Sequence, residues 1–216
     1  NKEATCNTFH NTDKLNKKSD YFISIEDYGN SYKCSNLAAK RKDTYAEASL
    51  GWHYKNGYGV EKNYKKANKF LREAVKGGSD YARNILADNY FNGYGVIKDV
   101  EKSIELYLVS AENGDAFAQT QLGYFYYYGD NGIQLDKKNS YMWFKKASDQ
   151  GNTYAQSYVG HMLLSGDGVK QNIEEAFKIS KLAADKGDDF AQANIGYHYE
   201  YGEGVDVNIS KAIEYY

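Results

Sequence analysis

Five times along the chain an aromatic residue and an alanine are followed, after three intervening residues, by an aliphatic residue and then a glycine or alanine. The copies are Tyr45-Ala46 with Leu50-Gly51, Tyr81-Ala82 with Leu86-Ala87, Phe117-Ala118 with Leu122-Gly123, Tyr154-Ala155 with Val159-Gly160, and Phe190-Ala191 with Ile195-Gly196. The alanines stand at 46, 82, 118, 155 and 191, so the period is 36 residues with one step of 37. Self-similarity at this period predicts a solenoid, in which each unit contacts its neighbours and no single large core is needed. An extended repeat surface makes binding, rather than chemistry, the default expectation.

Within the first copy, Ala46, Leu50 and Tyr54 fall four residues apart, one face of a helix. Gly57 and Gly59 then stop it, because glycine adopts the positive backbone angles found at helix ends. A second periodic segment carries Ala67, Phe70, Leu71 and Ala74 and closes at Gly77-Gly78, so each repeat reads as a helical hairpin. Later copies keep the order, with Gly93 and Gly95, Gly166 and Gly168, and Gly202 and Gly204 ending the first helix. The third copy reads Gly129-Asp130-Asn131-Gly132-Ile133, and its added residue accounts for the longer step. A Gly-x-Gly pair without a preceding strand and a longer glycine pattern is no phosphate cradle.

The pattern Ala-x-x-x-Leu-Gly-x-x-Tyr-x-x-Gly-x-Gly-Val, then Lys-Ala-x-x-aromatic and Ala-x-x-Gly, resembles the SEL-one-like repeat family, relatives of tetratricopeptide repeats. The resemblance covers about residues 43–216, with Ala87 for the helix glycine and Ser103 and Ser140 for an alanine as mild departures. It implies an all-α fold: a right-handed superhelical solenoid of about five antiparallel helix pairs with an N-terminal half-repeat or cap, used as an adaptor or scaffold between proteins. The expected organisation is an N-terminal segment and degenerate half-repeat over 1–42, then repeats over 43–78, 79–114, 115–151, 152–187 and an incomplete 188–216.

At the N-terminal end, LAAKRKDTYA resembles the close of a second helix, which makes Asp27 to Lys40 half a degenerate repeat. Residues 1–20 show no periodicity and are expected to be flexible unless Cys6 holds them to that helix. Cys6 and Cys34 are the two cysteines of the chain and both precede the repeats, a placement that suits one disulfide, though two reduced thiols fit the spacing as well. At the other end, Lys211 to Tyr216 stops midway through a second helix, so the natural chain is expected to continue.

Acidic and basic residues nearly balance, at a net charge of -2, and no long run of like charge appears, which removes support for nucleic-acid or anionic-membrane binding. No apolar stretch approaches the roughly 20 residues of a membrane span. A disulfide would place the protein in the periplasm or outside the cell, its signal peptide removed.

Tetratricopeptide geometry implies that first helices line a concave face. Discounting the five leading aromatics, which recur so regularly that they read as packing between repeats, the face carries Trp52, Phe91, Tyr124, Tyr127, Tyr128, Tyr197 and Tyr201, with Lys55, Asp88, His161 and Glu200 beside them. Tyrosine and tryptophan suit interfaces because they offer large contact area and a polar tip with little rotamer freedom to lose. The cluster of Tyr124, Tyr127 and Tyr128, with Phe91 before it, is the expected centre. A tyrosine-rich composition, with 23 tyrosines, offers a plainer explanation of the same enrichment.

Catalytic and cofactor patterns are missing from the sequence. Some secreted, cysteine-rich relatives have been linked to penicillin binding, yet the chain has no Ser-x-x-Lys, Ser-Asp-Asn or Lys-Thr-Gly, and no Gly-x-Ser-x-Gly elbow. The histidines His10, His53, His161 and His198 include no pair at metal-ligand spacing, and His53 and His198 occupy equivalent positions, which points to a shared packing role. No catalytic residue, cofactor or metal is therefore expected. The sequence reads as a bacterial, exported, non-enzymatic solenoid that holds another protein, with an immunity-type inhibitor of a secreted toxin or lipase as the concrete version. A structural adaptor in envelope or host-directed assembly is the alternative, and a penicillin-interacting repeat protein comes third.

Overall fold

A computed structural model describes residues 6, 9, 11–129 and 132–216 of the chain. Among them the fold is all-α, with twelve helices and no strand: α1 (Thr12–Ser24), α2 (Tyr28–Ala39), α3 (Thr44–Asn56), α4 (Tyr64–Lys76), α5 (Asp80–Asn92), α6 (Val100–Glu112), α7 (Ala116–Tyr128), α8 (Lys137–Asp149), α9 (Thr153–Ser165), α10 (Ile173–Ala184), α11 (Asp189–Tyr201) and α12 (Ile209–Tyr215). Within each unit neighbouring helices pack against one another, as α3 on α4 in the first and α7 on α8 and α9 on α10 in the second. The chain divides into two compact units within α6, between Tyr107 and Leu108.

Each helix boundary has a local cause. Asp43, Ser79, Asp115, Asn152 and Asp188 cap the first helices by accepting the amide of the repeated alanine, and Asn63, Asp136, Asn172 and Asn208 cap second helices in the same way. A cap of this kind contributes about 1 kcal/mol to its helix. At the other end Gly57, Gly93, Gly129, Gly166 and Gly202 are left-handed, with φ between 61° and 80°. The second glycine of the loop does something else. Gly59, Gly95, Gly168 and Gly204 lie against Tyr28, Tyr64, Lys137 and Ile173, the residues that begin the second helix of the preceding pair. Asp130 and Asn131 of the longer third loop lie outside the described residues.

In the first unit, one core cluster joins Cys6, Leu15, Phe22, Cys34, Ala38 and Ala46, and another joins Ala48, Leu71, Ala74, Ala82 and Leu86. The exception to flexibility over residues 1–20 is the one met, for Cys6 is bonded to Cys34 and residues 12–24 form α1 and pack on α2. Its buried stripe is Leu15, Ser19 and Phe22, so the middle position is polar and the apolar period is interrupted. Ser19 bonds to Ser31 and Ser35 of α2 at 2.8 Å each, and Ser35 bonds to Ser49 of α3 at 2.9 Å. Small hydroxyl side chains let three helices approach while satisfying one another in a dry seam. A disulfide joins Cys6 to Cys34 of α2, with Cα atoms 5.1 Å apart.

The two equivalent histidines are fully buried, and both serve the loop that follows them. His53 Nδ1 lies 2.7 Å from the Tyr58 carbonyl, and His198 Nδ1 lies 2.6 Å from that of Glu203. Burial holds both rings below the ordinary imidazole pKa. Their other nitrogens differ, for His53 Nε2 meets Ser31 Oγ at 3.1 Å, whereas His198 Nε2 has no partner. Counting back from His198 the 22 residues that separate Ser31 from His53 reaches Ala176, which has no hydroxyl to offer. In the second repeat Asn89 replaces the histidine and donates to Asn68, which in turn donates to the Tyr94 carbonyl. Ala176→Ser is therefore expected to stabilise the second unit by about 1 kcal/mol, the net value of one buried hydrogen bond. Denaturant unfolding of the two proteins measures it, and a loss of stability would refute the pairing. Serine is sterically tolerated at this repeat position, since Ser103 and Ser140 occupy it elsewhere.

Candidate functional site

The second unit contains a cleft of about 910 Å³, lined by three segments. The last turn of α7 gives Tyr124, Tyr127 and Tyr128; the first two turns of α9 give Tyr154, Ser157, Tyr158 and His161; the turn into α11 gives Lys186, Asp188, Asp189 and Phe190. The three are brought together by the hairpin stacking, because each first helix begins at an Asx cap and ends at a left-handed glycine in the same register.

Tyr158 is the hub of the cleft. Its ring stacks on Phe144 at 4.7 Å and meets Tyr124 at 5.0 Å, Tyr127 at 5.2 Å and Phe190 at 5.2 Å, and its hydroxyl lies 2.6 Å from that of Tyr128. Burial, followed by the Tyr128 hydrogen bond, drives its pKa far up, so it stays protonated. Tyr124 is pushed up to about 12 by burial first, then by the charges of Tyr128 and Asp188. His161 lies beside Phe190, with ring centroids 5.3 Å apart, and burial keeps it below the ordinary imidazole range, hence neutral near pH 7. Asp188 caps α11 and also accepts from Ser157 Oγ at 2.5 Å, which ties the turn to α9.

The expected site residues fall into separate places. Tyr124, Tyr127, Tyr128 and His161 share this cleft, but Tyr124 and Tyr127 are half-buried against the Phe144 core, and the Lys137 ammonium sits 3.1 Å from the Tyr127 ring centre. Tyr128 is the outward one of the three, 58 % exposed. Tyr197 lines a neighbouring cavity of about 450 Å³ and packs on Tyr201 at 4.6 Å, while Glu200 accepts from Tyr216 at 2.7 Å.

In the first unit, Trp52 is packed between Tyr58 at 4.9 Å and His53 at 5.1 Å, and it lines a pocket of about 290 Å³ with Tyr45, Tyr81 and Asp20. Lys55 and Asp88 pair with each other, linking α3 to α5, and the Lys98 ammonium lies over Phe91 at 5.4 Å. The expected grouping of Phe91 with the three tyrosines joins residues of different units, and within its own unit Phe91 belongs to the α5 surface. His10 lies outside the described residues.

One reading of the sequence is qualified by this geometry. The leading aromatics Tyr45, Tyr81, Phe117, Tyr154 and Phe190 are exposed, with Tyr154 at 64 %, and two of them also touch the preceding pair, Phe190 packing on Tyr158 and His161 and Tyr45 donating to Asp20 of α1. On the same helices Ala48, Asn84, Thr120 and Ser157, three residues after the leading ring, are buried. A bulky ring at the start of a helix has room outside the seam, whereas the position three residues on faces the next hairpin and must be small. Tyr158 was missed for a simpler reason. It stands where other copies have Ser49, Ile85, Gln121 and Asn194, and that single aromatic departure was the signal that marked it.

Sel1 repeat sequences match the chain over 44–79, 80–115, 116–152, 153–188 and 189–216. The chain belongs to the Sel1 repeat family. Sel1 repeats are a protein-interaction fold, and the solved Sel1 structures are its relatives in shape. A protective antigen present in uropathogenic Escherichia coli strains, displaying an SLR fold, is 27 % identical with a TM-score of 0.84, over 94 % of this chain and 44 % of that one. The chain thus spans less than half of that antigen. A Sel1 repeat protein from Oxalobacter formigenes is 26 % identical with a TM-score of 0.81, over 93 % of this chain and 82 % of its own. An immunity protein from Pseudomonas aeruginosa shares the fold at 16 % identity and a TM-score of 0.60, over 96 % and 80 % of the two chains. No curated protein matches the Sel1 chain significantly. Among the described residues no helix is long and apolar enough to cross a membrane.

Proposed function

We propose that this Sel1 protein is an exported, non-enzymatic binder that holds a partner protein against the aromatic cleft of its second unit, as an immunity-type inhibitor of a secreted toxin or lipase. The observation that carries the reading is the set of exposed rings, Tyr128, Tyr154 and Phe190, on a base of mutually packed aromatics. Rings held rigid before binding lose little entropy on contact, which is how a few anchors come to dominate an interface. Immunity is supported by the fold shared with the P. aeruginosa protein. Export is supported by the Cys6–Cys34 disulfide, since structural disulfides persist in oxidising compartments. An adaptor in envelope or host-directed assembly is the second reading, favoured by the likeness to a protective antigen.

The test is capture of a partner from the source cell by the parent protein, by Tyr128→Ala/Tyr154→Ala, and by Glu174→Ala on the exposed surface of α10. The tyrosine variant is expected to lose about 2 kcal/mol or more of binding, roughly thirtyfold in Kd, with helicity unchanged and the control at parental affinity. If the tyrosine variant binds like the parent, the cleft reading fails.

A further inference from the structure

Within that reading, the chemistry of the cleft says more about the partner than that it is a protein. Two carboxylates, Asp188 and Asp189, line the cleft with one ammonium, Lys186, while Lys137, over the Tyr127 ring, is paired with Asp167 at 3.6 Å. Lys186 is engaged, its Nζ donating to the Gly151 carbonyl at 3.0 Å and to Gln156 Oε1 at 3.2 Å. Asp188 is engaged too, as the cap of α11 and the acceptor of Ser157. Asp189 is exposed at the rim. His161 contributes no charge at neutral pH. The balance at the mouth is therefore negative, and the ring faces of Tyr128 and Tyr154 add the negative side of their quadrupoles.

A helix start favours an acid for its own sake, so Asp189 alone would mean only a complemented α11 dipole. Its place on an open aromatic cleft is what distinguishes it. Large rings beside an exposed carboxylate suit a planar cation, which can stack on a tyrosine face and hydrogen-bond a carboxylate at once; a neutral or acidic side chain can do neither well.

We propose that the cleft receives an arginine side chain of the partner protein, its guanidinium stacked on Tyr128 or Tyr154 and paired with Asp189.

The experiment titrates the intact protein with acetyl-Gly-Arg-Gly-amide and with the citrulline analogue, which keeps the shape and loses the charge, following tyrosine ring resonances by NMR. The arginine peptide is expected to shift the Tyr128 and Tyr154 signals saturably, with the citrulline peptide at least fivefold weaker. Asp189→Asn should bring the arginine peptide down to the citrulline level without disturbing the rest of the spectrum. Equal binding of the two peptides, no binding of the arginine peptide, or an Asp189→Asn protein that binds like the parent would each overturn the inference. Preferential binding of acetyl-Gly-Glu-Gly-amide would overturn it in favour of Lys186 as the recognition group. These outcomes leave the proposed function standing, because that reading fails on loss of the tyrosines and this one on loss of charge.

Discussion

Reduction of the Cys6–Cys34 bond is expected to lower the stability of the first unit by about 3.5 kcal/mol, from the loop-closure entropy of the 28-residue separation. Both sulfurs belong to the cluster of Leu15, Phe22, Ala38 and Ala46, so the bridge ties the chain ahead of α1 to the seam that α1, α2 and α3 share. Its loss acts first on the unfolded state, which gains the freedom the bridge had removed, and leaves the buried serine network in place. Denaturant unfolding with and without reductant measures the effect, and serine substitution is the poorer test because it buries a new hydroxyl at Cys34. Free-thiol counting on denatured, unreduced protein decides whether the bridge exists. Two reactive thiols would overturn it.

A second large effect is expected at Gly168. Its φ is +70°, and an added Cβ would lie 2.3 Å from the Lys137 carbonyl carbon and oxygen, backbone atoms that cannot swing aside. Gly166, two residues earlier, has φ +80°, yet its added Cβ would come no closer than 3.6 Å to Gln171. The pair separates two costs. Gly166→Ala should cost about 1–2 kcal/mol, the penalty of a left-handed alanine. Gly168→Ala should cost that and a further 1–3 kcal/mol or so, because the loop must lift from the start of α8. Equal destabilisation of the two variants in thermal or denaturant unfolding would show that the loop does not rest on the preceding pair.

Most of the fold was legible in the sequence because its signals repeat. Alanine at Ala46 and its four equivalents, and the Gly-x-Gly pairs, mark positions where geometry leaves one solution, so they survive in every copy. The caps were equally regular, and Asp43, Ser79, Asp115, Asn152 and Asp188 could have set the helix starts to the residue. Helix α1 was illegible because its seam is held by Ser19 bonding Ser31 and Ser35, and periodicity analysis counts apolar residues. The candidate site was read only in part. Tyr128 and His161 were found on a face drawn from the period, whereas Tyr154 and Phe190 were set aside for being regular, although regularity of position says nothing about exposure. Asp189 opens helix α11, a place where an acid suits the helix alone, so nothing in the sequence tied it to the cleft beside it.

The histidine and asparagine relays carry a consequence for how such chains diversify. His53 depends on Ser31, and Asn89 on Asn68, each partner lying on the second helix of the preceding hairpin. The second loop glycines obey the same rule, resting on the start of that helix. A crossover that duplicates or deletes one repeat at the boundaries visible in the sequence, such as 80–115, therefore separates every buried pair at its leading edge. The segment that can be inherited without breaking a pair begins instead at the second helix and ends after the next first helix and its loop. His198, opposite Ala176 in the repeat register, is what a crossover at the wrong edge would leave behind: an acceptor whose donor stayed with another copy.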